Sequence, residues 1–310
     1  MKAAIVKAYG TQVVVTDIAQ PALLDDSLMI QVHATSVNPV DNLIRAGYLK
    51  GMLPLPLPYT VGNDVSGVVT AVGKAVNGFK VGDAVFARPQ SMQSGTFAEF
   101  VVVKAVDAAH KPANLSHEQA AALPLVALTA WQALLSKGHL QSGQKVLIHA
   151  GSGGVGSIAI QLAKHLGAFV ATTTSADNVA MVRALGADIV IDYQSQKFED
   201  VVHEYDLVFD TLGGATRERS YAVLKKGGLL VSIIAPADTS GIAEKLGVKS
   251  EVFFMSPSGE QLAQIGKLAE QGVVKPIIDK TFSLDDAQAA FDYSQTGHAK
   301  GKIVVTVNRR

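Results

Sequence analysis

Through residues 1–105 the apolar, β-branched positions come in short runs: KAAIVKA, QVVVTDI, SLMIQVHATSV, SGVVTAVG, DAVFARP and TFAEFVVVK. Turn residues such as Asn77-Gly78 and Gly82-Asp83 part them. Short β-rich runs with this punctuation predict strands, so this stretch reads as mainly β. One short helix interrupts it. Asn38 stands at its cap, Pro39 fits the first helical position, and Gly47 closes the end after VDNLIRA.

The pattern changes near residue 115. Asn114–Ser116 precedes an Ala/Leu-rich helical stretch that reaches about Ser136 and is interrupted at Pro124. From Lys145, strand and helix alternate. KVLIHA leads through a Gly-rich turn into a helix Val155–Leu166 stopped by Gly167, followed by AFVATTT. Asp177/Asn178 can cap a helix to Leu185, stopped by Gly186. ADIVIDY, YDLVFDTLG, GGLLVSIIA and VKSEVFFM follow, with helical stretches between most of them. Six strands apolar on both faces predict a parallel, doubly wound α/β sheet. After Gly272 the pattern breaks, and a helix Leu284–Ser294 and a strand KIVVTV finish the chain.

Length and composition narrow the classes. The 310 residues suggest about two domains. The chain carries 27 Lys+Arg against 27 Asp+Glu, with no basic run, which argues against nucleic acid or an anionic membrane surface as partner. There is no cysteine, which removes disulfides, thiolate zinc sites and a cysteine nucleophile. The charge-free stretches Gln119–Ser136 and Val146–Ala163 are too short and too interrupted for a membrane span. The N-terminal apolar run is too short for a secretion signal. The expected location is cytoplasmic.

The Gly-rich turn carries the clearest chemistry. HAGSGGVG holds G-x-G-x-x-G as Gly151, Gly153 and Gly156, with Ser152, Gly154 and Val155 between them. The bare pattern is weak, but here it follows a strand and opens a helix, which is the dinucleotide-binding context. An NAD site usually places an acid at the end of the second strand. Here that end reads Thr173, Thr174 and Ser175, and the first acid is Asp177. Hydroxyls there donate to a 2′-phosphate without repelling it, so the expected cofactor is NADPH (NADP). Set against this, no Lys or Arg lies between Thr172 and Met181.

SVNPVDNLIRAG, LPYTVGNDVSGVV, the glycine loop, ALGADIVIDY and GHAKGKIVVTV together resemble the zinc-independent quinone oxidoreductase branch of the medium-chain dehydrogenase/reductase superfamily. The resemblance runs from Lys2 to Val307. It implies a GroES-like β-rich catalytic domain, residues 1–122 and 275–310, into which a six-stranded Rossmann NADP-binding domain, residues 123–274, is inserted. It also implies NADPH as cofactor and a homodimer. Zinc-dependent relatives have a Cys at Asn38 or its neighbour and Gly-His-Glu where this chain reads Gly62-Asn63-Asp64. The eight His are scattered without ligand spacing, so no metal is expected.

The resemblance also carries site residues. Asn38, Asp41 and Tyr48 match catalytic positions near the nicotinamide and acceptor. Thr129, Tyr193, Ile234, Ala235, Phe254, Met255, Ser256 and Lys302 match cofactor contacts. Ordinary explanations stand beside them: Asn38 as a helix cap, Asp41 as a charge favouring the helix dipole, Tyr48 as a loop aromatic packed on Pro54–Pro58, Tyr193 as a strand-end aromatic, Lys302 as a solvated charge. The reading is an NADPH-dependent, metal-free oxidoreductase that transfers hydride to a small-molecule quinone or α,β-unsaturated carbonyl. The alternatives are a zinc-dependent alcohol dehydrogenase and a non-catalytic NADPH-binding sensor. The acceptor pocket depends on loops such as Gly47–Pro58 and Pro89–Gly95, whose shape no pattern constrains.

Overall fold

The computed structural model describes residues 1–90, 95–237 and 240–307, so residues 91–94 of the Pro89–Gly95 loop lie outside the described residues. In chain order the elements begin with β1 (Lys2–Val6), β2 (Val14–Asp17), β3 (Ser27–Val37), α1 (Pro39–Ala46), β4 (Tyr59–Thr60) and β5 (Val65–Val72). Next come β6 (Ala84–Ala87), β7 (Phe100–Lys104), β8 (Ala108–His110), α2 (His117–Ala121) and α3 (Pro124–Trp131). The alternating stretch is β9 (Lys145–Ile148), α4 (Gly154–His165), β10 (Phe169–Thr174), α5 (Val179–Ala184), β11 (Ile189–Asp192) and β12 (Tyr205–Asp210). It continues through α6 (Gly214–Ser220), β13 (Leu224–Ser232), α7 (Ile242–Leu246) and β14 (Lys249–Val252). The chain then adds α8 (Gly259–Glu270), β15 (Ile278–Ser283), α9 (Ala287–Gln295) and β16 (Lys302–Thr306).

These elements form two compact units. Unit 1 is Met1–Leu128 with Ser256–Arg310, and unit 2 is Thr129–Met255. The sequence reading sets its joins at 122/123 and 274/275; both divisions keep the alternating strands together.

Unit 2 is the doubly wound sheet the pattern predicts. Its order is β11-β10-β9-β12-β13-β14, and every pair is parallel. β9 is central and its Val146, Leu147 and Ile148 are fully buried, which is why KVLIHA reads as a run rather than an alternation. Strand order reverses between β9 and β12, and ligands of such sheets bind beyond the carboxyl ends at that reversal. The glycine loop follows the carboxyl end of β9 directly.

Unit 1 is built on β3. The main sheet runs β15-β16-β3-β5-β6-β8, with β7 also on β3. β3 manages three partners because β5 runs along one edge while the other is shared, its first half taking β7 and its last residues β16; the β5 pairing shifts register at Met29/Ile30 and Val32/Ala34. The register Ile303↔Val37 brings Lys302 to the end of β3, beside Asn38. A small antiparallel sheet, β2-β1-β4, adds a second layer. Phe97 and Phe291 meet in its core at 5.4 Å between ring centroids, both fully buried.

Two features escape the sequence pattern. β15, IDKTFS, is an edge strand whose residues alternate only weakly between half-buried and exposed. β4 and β8 have two and three residues, shorter than any run that periodicity can show. Pro124 interrupts the helical stretch as expected: α2 stops at Ala121 and Pro124 opens α3 at its first residue.

Replacing Phe97 by Ala should destabilise unit 1 by about 3–5 kcal/mol, the usual loss for a buried phenylalanine. Chemical denaturation checks this; a midpoint equal to that of the wild type contradicts the packing.

Candidate active site

In unit 2 the glycine loop is shaped by close approaches. A Cβ on Gly156 would lie 2.2 Å from the Ala150 carbonyl oxygen, and one on Gly151 would lie 2.1 Å from Thr172 Oγ1. Neither position accepts a side chain without moving backbone or strand. Gly153 differs: its Cβ would meet only the Ala150 oxygen at 3.3 Å, and the space ahead of it is open. The first helical bond of α4 runs from Ser157 N–H to Gly153 C=O. The amides of Gly154, Val155 and Gly156 therefore have no helical acceptor, and together with the helix dipole they suit an anion. These residues fit the diphosphate of a dinucleotide.

A hydrogen-bond chain holds the turn in place. Ala150, at φ +52°, donates its N–H to Thr173 Oγ1 at 3.1 Å. Ser220 Oγ donates to Thr216 O, so His149 Nε2–H donates to Ser220 Oγ at 2.8 Å. His149 Nδ1 is then the acceptor for the Thr173 hydroxyl at 3.2 Å. Burial lowers the His149 pKa to about 4, so the ring is neutral and this tautomer is consistent along the chain.

The other candidates of unit 2 fall in four places. Thr174 and Ser175 end β10, and the Tyr193 N–H bonds to Thr174 O at 3.1 Å, which puts Tyr193 beside them with its ring 62% exposed. Ile234 and Ala235 follow β13. Arg217, buried, donates to Ile234 O at 3.1 Å and Pro236 O at 3.0 Å, so the strand end is pinned from α6. Phe254 is exposed and Met255 half-buried after β14, while Thr129 is buried within α3. Ser256 and Lys302 belong to unit 1.

Unit 1 gathers Asn38, Asp41 and Lys302 with Ser36, Asn63 and Asp64, which the sequence reading did not place among the site residues. Asp64 is fully buried, and its carboxylate accepts from four places: the Leu125 N–H at 2.7 Å, the Ser36 hydroxyl at 2.6 Å, Asn38 Nδ2 at 2.7 Å and Lys302 Nζ at 3.3 Å. Lys302 also donates to Val37 O at 3.1 Å and to Asn38 Oδ1. It is 4% exposed, so it is not a solvated charge. The Asn38 carboxamide is thus committed to Asp64 and Lys302 and does not cap α1. The cap is made in reverse, with the Asn38 N–H donating to Asp41 Oδ2 at 2.7 Å.

Asp41 also accepts from Asn63 Nδ2. Burial pushes its pKa up to about 6, with the nearby Asp64 carboxylate adding to the rise and both hydrogen bonds and Lys302 opposing it. Arg88, buried within Coulombic reach of Asp64 and Asp41, has its pKa lowered by burial. Beside Asp41 and Asn63 lies a small recess whose apolar wall includes Val6, Ile44, Leu55 and Val61. Arg45 also lines it, and its Nε is buried without a partner. Tyr48 stands 80% exposed after α1, so it is not packed down on Pro54–Pro58.

Among the described residues no group of three or more His, Cys, Asp or Glu side chains could hold a metal ion. Asn63 and Asp64 occupy the place where zinc-dependent relatives carry His and Glu, and both are spent on internal hydrogen bonds. These residues do not fit a zinc site. No helix among the described residues is long and apolar enough to cross a membrane.

Comparison with known proteins agrees with this architecture. Residues 24–113 match the alcohol dehydrogenase GroES-like domain, and residues 185–305 match a family described as zinc-binding dehydrogenase. The NAD(P)H oxidoreductase RTN4IP1, mitochondrial, of Bos taurus is 39% identical over 91% of this chain and 82% of its own. The 2-methylene-furan-3-one reductase of Solanum lycopersicum is 38% identical over 94% of this chain and 74% of its own. The quinone oxidoreductase structure from Coxiella burnetii superposes with a TM-score of 0.91 at 34% identity, covering 99% of both chains. The Escherichia coli quinone oxidoreductase complexed with NADPH gives 0.89 at 26% identity, over 99% of this chain and 100% of its own. The cytoplasmic location expected from the sequence is overturned by these relatives, since the RTN4IP1 proteins of cattle, mouse and human are described as mitochondrial. Absent cysteines and a short apolar run speak of redox chemistry and of secretion, and fix no other address. With its domains matched in order and its metal positions filled by an internal polar network, the chain belongs to the zinc-independent quinone oxidoreductase branch of the medium-chain dehydrogenase/reductase superfamily.

Proposed function

We propose that this protein is an NADPH-dependent reductase of quinones or α,β-unsaturated carbonyl compounds that works without a metal. The observation that carries the reading is the open glycine turn ahead of α4, with hydroxyls rather than an acid ending β10. Relatives support it: the E. coli quinone oxidoreductase was solved with NADPH, and the tomato relative is named as a reductase of a methylene-furanone. A chain without a metal site suits an acceptor that is already electron-poor, because such an acceptor needs no Lewis acid to take hydride.

Bound NADPH supplies the hydride. The amides of Gly154, Val155 and Gly156, with Gly151, Ser152 and Gly153, hold the diphosphate. Ser175 and Tyr193 serve the adenosine end, whereas Thr173 and Thr174 are buried and spend their hydroxyl protons on His149 Nδ1 and Ser152 Oγ, so they hold the turn rather than donate to the nucleotide. Thr129, Ile234, Ala235, Phe254, Met255 and Ser256 complete the cofactor contacts; Lys302, its three N–H groups spent on Val37 O, Asn38 Oδ1 and Asp64, holds the network of unit 1 instead. Tyr48, a phenol with its ring exposed, serves the acceptor and donates to its oxygen as charge develops there, while Asn38 and Asp41, both buried, act as positioning residues through the network around Asp64. We further propose a homodimer, for which β14 offers a half-exposed edge strand, and no nucleic-acid partner, given the balanced charge.

Purified protein should oxidise NADPH when offered a panel of quinones, enals and enones, and do so faster than NADH. No acceptor-dependent oxidation across the panel would leave a binding protein without turnover. Gly153→Val fills the open space before α4. It should weaken NADPH binding by about ten-fold or more while leaving the melting temperature nearly unchanged; normal binding would remove the loop from the site.

Asp41 makes a pH prediction. Its folded pKa lies above the ordinary 3.8, so the folded chain holds the proton more tightly than the unfolded chain between about pH 4 and 6. Its contribution to stability is greatest below pH 4 and falls as pH rises through 6, by up to about 3 kcal/mol. The stability of the wild type relative to Asp41→Asn should therefore drop across that window. Parallel denaturation curves at pH 4, 5, 6 and 7 read the slope, and a pH-independent difference refutes it.

A further inference from the structure

We propose that Asn178 sets the nucleotide preference of unit 2 by orienting the hydroxyls of Ser152 and Ser175 outward, as paired donors to the 2′-phosphate of NADPH. The inference rests on the NADPH reading above and assigns its selectivity to a residue outside the glycine motif.

Asn178 lies at the start of α5 and is about nine-tenths buried. Its Nδ2 donates to Ser175 Oγ at 3.0 Å and to Ser152 Oγ at 3.3 Å. Ser152 Oγ accepts a second bond, from Thr174 Oγ1 at 2.9 Å. A hydroxyl has one proton and two lone pairs. Both lone pairs of Ser152 are used by protein donors, and one of Ser175. Neither hydroxyl proton has a protein acceptor among the described residues, and both serines are partly exposed. One carboxamide on the inner side thus turns two O–H groups outward at the end of β10. This is where an NAD-selective site places an acceptor for ribose hydroxyls, and here it is a site of donors.

A second feature marks the place as one a ligand completes. The Oδ1 of Asn178 is buried and has no hydrogen-bond donor. A buried unsatisfied carbonyl is costly in a native structure, and a ribose hydroxyl would satisfy it. Asp177, next to it, is exposed, so solvent and salt weaken its repulsion of a phosphate.

Asn178→Asp tests the assignment with almost no change of shape. A carboxylate only accepts, so both serine protons would turn inward to it, and the phosphate would lose two donors and face a charge. Calorimetric titration with 2′,5′-ADP and 5′-AMP separates the 2′-phosphate from the rest of the nucleotide. The expected result is that 2′,5′-ADP affinity falls about ten-fold or more while 5′-AMP affinity stays within about three-fold. Ser152→Ala removes one donor without adding charge. It should give a smaller loss of the same selectivity, which keeps the test intact should the first variant not fold. Equal losses for the two nucleotides, or no loss in either variant, would overturn the role of Asn178. A wild-type protein that binds neither NADPH nor 2′,5′-ADP would instead overturn the NADPH reading on which the role depends.

Discussion

One carboxylate organises unit 1. Asp64 collects Ser36 and Asn38 at the end of β3, Lys302 on β16 and the Leu125 amide of α3 onto two oxygen atoms. All of this is out of solvent, so each partner is needed by the others. Removing one member of a buried pair of this kind typically costs about 3–5 kcal/mol, because the remaining charge has no water to turn to. The arrangement fixes Asn38 and, through the Asn38 amide, Asp41. Asn38 and Asp41 are therefore placed by a polar network, and their positions depend on strands that are distant in sequence. The same network fills the position where zinc-dependent relatives bind their metal, so the chemistry left to unit 1 is hydrogen bonding and charge.

Unit 2 solves its placement problem with close packing. At Gly156 helix α4 sits so near the turn that a single methyl group would meet the Ala150 carbonyl. His149 then ties the turn sideways to α6 through Ser220. A neutral imidazole suits this position because it donates on one side and accepts on the other, and burial holds it uncharged.

The two units also differ in how far they can be read from sequence. The six buried strands and the glycine turn are local signals, carried by runs of apolar residues and by spacing. The helix α4 is legible to within a residue or so at each end. The network around Asp64 is not legible. Lys302 and Asp64 are 238 residues apart, and nothing in GHAKGKIVVTV shows that its lysine is buried rather than solvated. Asn38 shows the same limit at short range. An Asn before Pro reads as a cap, yet Lys302 and Asp64 compete successfully for its carboxamide and the cap is left to Asp41. Asn178 reads only as a helix cap, because its bond to Ser152 depends on a turn 26 residues earlier. The half-exposed edge strand β15 escapes because its alternation is weak.

The nesting of the units has a consequence for the order in which they are made. All six strands of unit 2 lie between Lys145 and Val252, so that sheet is fully synthesised while β16 is still to come. Until then the Ala34–Val37 edge of β3 has no strand beside it and Asp64 has no ammonium partner. The growing chain thus finishes its nucleotide-binding half first and carries an open strand edge, the feature through which chains most readily pair wrongly, in the half that finishes last. One late strand closes that edge and delivers the missing charge in the same step.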